Sequence, residues 1–117
     1  RDSSVSQHAM TRQKAESIES YPQFIERFLQ QTPDNEMFRE DIVYIKFQAY
    51  LILLLKNWET GMKARCRFMS RSLKQYPRLK EISEAKRFTK LIHLYSFSSI
   101  LGKLYMKYYI RKGKIRI

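Results

Sequence analysis

The seven residues from Ala49 to Leu55, AYLILLL, are apolar on every side of a helix, and a helix of that kind must be covered on every side. Just upstream, Phe38, Ile42, Ile45, Ala49 and Ile52 recur at helical spacing, so the stretch from Asp34 to Trp58 is expected to form one helix that the rest of the chain packs around. Asp34 is the expected N-cap, and Glu36, Glu40 and Asp41 fall in the early turns, where carboxylates suit the positive end of the helix dipole. Only three Gly and three Pro interrupt 117 residues rich in helix formers. The predicted fold is therefore all-α, a small bundle of about five helices around a central hydrophobic helix. Residues 11–117 form the helical domain, and residues 1–10 (RDSSVSQHAM), which show no period, form an extended tail. A chain of this length can bury a modest core without disulfides or metal.

Thr11 is expected to cap a first helix running to Glu19, with a restart or kink at Ser20-Tyr21-Pro22-Gln23, where a capping serine precedes a proline in the first turn. Ile18, Tyr21, Ile25, Phe28 and Leu29 give this segment one apolar side, and Gln30-Gln31-Thr32-Pro33 ends it. After Gly61, Met62, Cys66, Met69, Leu73 and Tyr76 make a clean buried stripe. The other side carries Lys63, Arg67, Arg71 and Lys74, with Arg65 adjacent, as an outward basic ridge. Tyr76-Pro77 breaks that helix. A short turn over 78–82, a helix from Ser83 to Tyr95 and a break at Ser96-Phe97-Ser98-Ser99 are expected next, the serines competing for backbone hydrogen bonds. In the last helix Ile100, Leu101, Leu104, Tyr105 and Tyr108 share one face and Lys103, Lys107 and Arg111 another. Gly113 stops it and KIRI trails off.

Charge is distributed unevenly. Up to Trp58 there are seven Lys and Arg against eight Asp and Glu, a net −1; from Glu59 onward there are sixteen against three, a net +13. Such a field attracts phosphates, whether on nucleic acid, lipid or a phosphorylated substrate. The longest apolar run is seven residues, far short of the roughly 20 that a spanning helix needs. The opening has no apolar run of signal-peptide type, and the absence of an initiator Met suggests a piece of a longer polypeptide. A single cysteine excludes an internal disulfide and fits a reducing compartment.

No catalytic or metal-ligating constellation stands out. His8 and His93 have no Cys or carboxylate cluster at ligand spacing, and His93, among Leu91, Ile92, Leu94 and Tyr95, is read as a half-buried helix residue. Cys66 lies on the apolar stripe and is read as a small core residue. Glycine-rich phosphate loops, G-x-S-x-G and H-E-x-x-H are absent. The sharp signal is the basic and aromatic second half, from which Lys63, Arg67, Arg71, Lys103, Lys107, Arg111, Lys112, Lys114 and Arg116 are the candidate membrane- or phosphate-binding residues. An amphipathic helix with Lys and Arg on one side and Tyr, Leu and Ile on the other has the composition of an interfacial membrane binder. Interleaved Tyr and Arg would also suit stacked single-stranded nucleic acid, but the aliphatic residues between the tyrosines favour the membrane.

The opening Arg1, Ser4, Val5 and Ser6 resemble the end of the catalytic domain in bacterial family 2 glycosyltransferases, where an Arg followed by a Ser-Val-Ser run closes the nucleotide-sugar fold. The stretches KNWETGMKARCRFMSRSLKQYPRLKEI and SILGKLYMKYYIRKGKIRI look like the basic helical extensions that follow it in transferases of surface polysaccharides. The resemblance implies an upstream catalytic domain holding a divalent metal through Asp-x-Asp and a nucleotide-sugar donor, with a polyprenyl-linked acceptor at the membrane. It implies a cytoplasmic protein, peripheral at the inner membrane face. No catalytic residue and no cofactor site is carried over onto this segment. The acidic first half would dock on the catalytic domain and the basic second half would face the membrane. A basic nucleic-acid-binding module and a domain for an acidic protein partner are the alternatives.

Overall fold

In the computed structural model the described residues are 11–31 and 38–115, of which 83–85 are described as backbone only. They form five α-helices, α1 (Arg12–Gln30), α2 (Arg39–Leu55), α3 (Met62–Gln75), α4 (Ser83–Phe97) and α5 (Ser99–Arg111), with a 3-10 turn over Pro77–Glu81 and no strand. The tail at 1–10 and the expected Asp34 cap lie outside the described residues.

The Thr11 side chain accepts a hydrogen bond from the Lys14 amide at 3.2 Å and so starts α1. That helix then runs through Pro22 without the expected restart at Ser20, whose hydroxyl donates to the Ser17 carbonyl at 3.1 Å. A proline in a helix interior costs about 3 kcal/mol, but the Pro22 ring is fully buried, which offsets part of the loss. The inward face of α1 is Ala15, Ile18, Pro22, Ile25 and Leu29, spaced by three and four residues. Tyr21 and Phe28, expected on that face, are exposed, because the heptad set already fills the contact with α2.

Helix α2 packs between α1 and α3. Its deepest side chains are Phe47, Leu53 and Leu54, with Tyr50 and Leu51 nearly as covered. The all-round cover expected for AYLILLL is incomplete: Ile52 stays 46% exposed at an open apolar groove between α1 and α2, and Leu55 is only half-buried. The helix ends at Leu55 rather than near Trp58. Asn57 takes the left-handed conformation with φ 54°, and the Asn57 and Trp58 amides donate back to the Leu54 and Leu53 carbonyls. This is a Schellman-type stop, for which Asn is one of the few suitable residues.

The core continues from α2 across α3 to α4 and α5. Met62, Cys66, Met69 and Leu73 are buried as their spacing predicts, with Tyr76 half-buried beside them. They meet Leu91, Ile92 and Tyr95 of α4 in the most extensive helix contact of the molecule. No α1 residue belongs to this continuous cluster, so α1 is an added layer rather than part of the core.

The break at Ser98 falls where the serine run predicts it: Ser98 is extended (φ −152°, ψ 127°) and its hydroxyl accepts from the Leu101 amide at 3.4 Å. Helix α5 then folds back on α4 with a rotation that the apolar pattern does not give. Its buried face is Gly102, Met106 and Tyr109, with Tyr105 half-buried, while Ile100, Leu101, Leu104 and Tyr108 are exposed. The cause is a close approach at Gly102, where an added Cβ would run into the Tyr95 ring. Tyr95 is itself almost wholly buried, so it has little room to yield. Gly113 (φ 75°) closes the helix, and Lys114 and Ile115, expected to trail off, are held, while 116–117 lie outside the described residues. The Lys114 and Ile115 amides return to the Tyr109 carbonyl, and Ile115 is buried against the core.

Alanine is the better helix former by about 1 kcal/mol, yet Gly102→Ala is expected to destabilise by about 1–3 kcal/mol because it overpacks the α4–α5 contact. Urea unfolding followed by circular dichroism measures this, and a neutral or stabilising alanine would contradict the packing.

Candidate functional site

The cations of the second half divide into those that build the fold and those displayed on it. Arg65, expected on the outward ridge of α3, is instead 3% exposed. Its guanidinium donates to the Trp58 carbonyl and to the Thr60 carbonyl at 2.6 Å, and pairs with Glu19 of α1 at 3.2 Å. The reason is local: the chain leaves α2 through a tight stop and re-enters α3 within a few residues, leaving carbonyls that need donors. Arg65 supplies them with one planar fork and ties α1 to the rest of the molecule. Arg78 likewise pairs with Glu40.

Lys63 is half-buried and Arg67 and Arg71 are exposed along α3, none paired with a carboxylate among the described residues. On α5 and just after it, Lys103, Lys107, Arg111, Lys112 and Lys114 are all exposed. Lys103 alone of these pairs with a carboxylate among the described residues, reaching Glu59 at 3.7 Å with both side chains about half in solvent, a pair contributing at most about 1 kcal/mol. Arg116 lies outside the described residues. Helices α3 and α5, which carry the two ridges, each pack chiefly on α4.

At roughly 100° per residue, Ile100, Leu104, Tyr108 and Leu101 occupy one outward arc of α5. Lys103 and Lys107 flank it on one side, Lys112 on the other, and Arg111 falls within it. Exposure reaches 72% at Ile100 and 59% at Leu104, and Phe97, just before the helix, is 78% exposed. An apolar strip of this kind, edged by cations and left open by the fold, is the strongest candidate surface of the chain.

Its carboxyl end carries an aromatic platform that sequence reasoning missed. Tyr105 and Tyr108 are stacked with centroids 5.8 Å apart, and Tyr109 lies 4.9 Å from Tyr105. The ammonium of Lys112 sits over Tyr108 at 5.8 Å and that of Lys114 over Tyr109 at 5.5 Å. Lys90, from α4, sits over Tyr105 at 5.6 Å. Nothing in the spacing of Lys90 marks it, since only the antiparallel return of α5 brings it to Tyr105. The Tyr109 phenol is pushed up to about 12, first by burial and then by its hydrogen bond with Tyr105. It remains a protonated donor at neutral pH.

Other titratable groups are less promising. Burial pushes the Cys66 thiol up to about 12, so it is inert in the folded chain. His93 Nδ1 and the Ser70 hydroxyl are 2.6 Å apart, but Ser70 is buried, and Lys74 and Lys80 rather than a carboxylate influence the imidazole. Burial, then those two ammoniums, hold the His93 pKa below the ordinary imidazole value. Among the described residues no three His, Cys, Asp or Glu side chains converge on a possible metal position, and no helix is long and apolar enough to cross a membrane. His8 lies outside the described residues. Comparison of the chain with protein-family models, with curated proteins and with solved structures finds no match.

Two outcomes follow from these contacts. Arg65→Met is expected to cost on the order of 2–3 kcal/mol, and Glu19→Gln to cost less while raising hydrogen exchange across 12–30 with the α3–α4 core unchanged. Uniform loosening in the Glu19 variant would mean that α1 is not a separately held layer. For His93, a folded-state pKa below the unfolded one means that the unfolded chain binds more protons between the two values. Its contribution is thus complete above the ordinary imidazole range and lost as pH falls through the window beneath it. Denaturation midpoints at pH 7.5 and 5 should differ less in His93→Gln than in the parent chain.

Proposed function

We propose that this chain is the C-terminal, non-catalytic helical part of a nucleotide-sugar-dependent glycosyltransferase, and that it holds the enzyme to an anionic membrane surface through α5. The glycosyltransferase part of this reading rests on the resemblance carried by Arg1, Ser4, Val5 and Ser6 and by the basic helical remainder. On this reading the metal, the sugar donor and the catalytic base belong to an upstream domain.

The membrane part is supported by one observation above the others: the fold spends Gly102, Met106 and Tyr109 on its core and leaves Ile100, Leu101 and Leu104 in solvent, with Lys103 and Lys107 along one edge of the strip and Arg111 and Lys112 at its carboxyl end. Burying that strip in the headgroup region removes apolar surface from water, at about 25 cal/mol per Å2. Each nearby Lys or Arg adds on the order of 1 kcal/mol on an anionic leaflet. Single-stranded nucleic acid fits less well, because the tyrosines stack on one another and carry lysines over their rings, which leaves few bare faces for bases.

Vesicle flotation tests the reading. The chain should float with vesicles containing anionic phospholipid and stay behind with zwitterionic ones, and Lys107→Gln with Arg111→Gln should weaken binding by roughly 30-fold, about 2 kcal/mol. Leu104→Asp should weaken it comparably without changing stability. Tight oligonucleotide binding with a steep salt dependence, and no flotation, would replace the membrane by nucleic acid.

A further inference from the structure

We infer that the platform of Tyr105, Tyr108 and Tyr109 with Lys90, Lys112 and Lys114 is a headgroup site selective for lipids bearing a phosphomonoester, in preference to lipids of the same surface charge with a phosphodiester or carboxylate headgroup. This inference rests on the membrane reading and names the lipid that the surface selects.

Three features carry it. First, the cations share a platform. The three ring centroids lie within 6.1 Å of one another, and one ammonium sits 5.5–5.8 Å from the centre of each ring, so one positive charge from α4 and two from the terminal turn are gathered around one small aromatic cluster. None of the three pairs with a carboxylate among the described residues. Second, the platform is built in advance. Gly113 turns the chain back and Ile115 is buried in the core, which fixes the turn that carries Lys112 and Lys114. Tyr109 is covered by the Phe88 ring at 5.4 Å and supports the outer two tyrosines. Third, the site adjoins the apolar strip of the same helix, with Tyr108 and Leu104 one turn apart and both exposed. A ligand that satisfies both must be an amphiphile.

The phosphomonoester follows from counting charge and acceptors. At pH 7 such a group carries about −1.5 to −2 charge and three strong acceptor oxygens. Three ammoniums can each donate to one of those oxygens in charge-assisted hydrogen bonds, with the exposed Tyr108 at the margin. A phosphodiester offers one charge and two free oxygens, and so leaves one ammonium of the three without an equivalent partner. A diffuse surface field would not distinguish the two at equal charge density. A convergent site would.

The experiment measures partitioning of the 117-residue chain at pH 7.4 onto phosphatidic acid vesicles and phosphatidylserine vesicles matched in surface charge by zeta potential. Three chains are compared: the parent, the triple variant Lys90→Gln, Lys112→Gln, Lys114→Gln, and a charge-matched control, Arg12→Gln, Lys14→Gln, Arg27→Gln on α1. Circular dichroism melts establish that the triple variant remains folded. The expected result is binding about tenfold tighter to phosphatidic acid in the parent and the control, with the preference abolished in the triple variant. Equal binding of the parent to both vesicles overturns the headgroup site and leaves the membrane reading standing. A preference that survives the triple variant overturns the assignment to this platform. Absence of binding to either vesicle overturns the membrane reading and this inference with it.

Discussion

The contact between Tyr95 and Gly102 decides what this molecule shows to its surroundings. A helix as rich in apolar residues as α5 could dock on α4 through more than one face, and Ile100, Leu101, Leu104 and Tyr108 are the more hydrophobic choice. The buried Tyr95 ring admits only a residue without a side chain at the closest point. That requirement turns Gly102, Met106 and Tyr109 inward and leaves the aliphatic arc outward. Close packing here outweighs the tendency to bury the most apolar face, because a clash in a dense interior has nowhere to relax.

Two kinds of arginine and lysine use follow from the same architecture. Arg65 is consumed by the fold: it sits at the tight α2–α3 junction, satisfies the carbonyls of Trp58 and Thr60, and clamps α1 through Glu19. The cations of α5 and the terminal turn are displayed, with Lys103 lightly held by Glu59 and Lys112 and Lys114 resting on tyrosine rings. A lysine over a ring keeps its charge and loses little of its hydration, so it remains available to a phosphate. On the membrane reading, α1 and α2 face away from the lipid and α5 lies on it.

Much of the fold was legible in the sequence. The α3 stripe of Met62, Cys66, Met69 and Leu73, the break at the serine run and the glycine stop at 113 are local signals, and local signals set local structure. What failed were judgements about rotation and partners. Ser20-Tyr21-Pro22 reads as a helix start, but Pro22 could be buried in mid-helix against α2. Arg65 reads as surface because its role depends on carbonyls freed by a turn elsewhere. Tyr21 and Phe28 on α1, like the arc on α5, stay outside because a second, less conspicuous face packs better. The basic residues of α5 were visible as a list. The platform was not, because Lys90 and Ile115 reach it through tertiary folding alone.

The claim on which the surface depends is the rotation of α5, and thiol alkylation tests it directly. Leu104→Cys and Met106→Cys differ by two residues and should lie on opposite sides of the helix, with buried Cys66 as an internal unreactive reference. Without vesicles, the thiol at 104 should react at nearly the rate of a free cysteine and the thiol at 106 should be protected until the chain unfolds. Protection at 104 with rapid reaction at 106 would contradict the account, since the apolar arc would then be core and the surface proposed to meet the membrane would not exist.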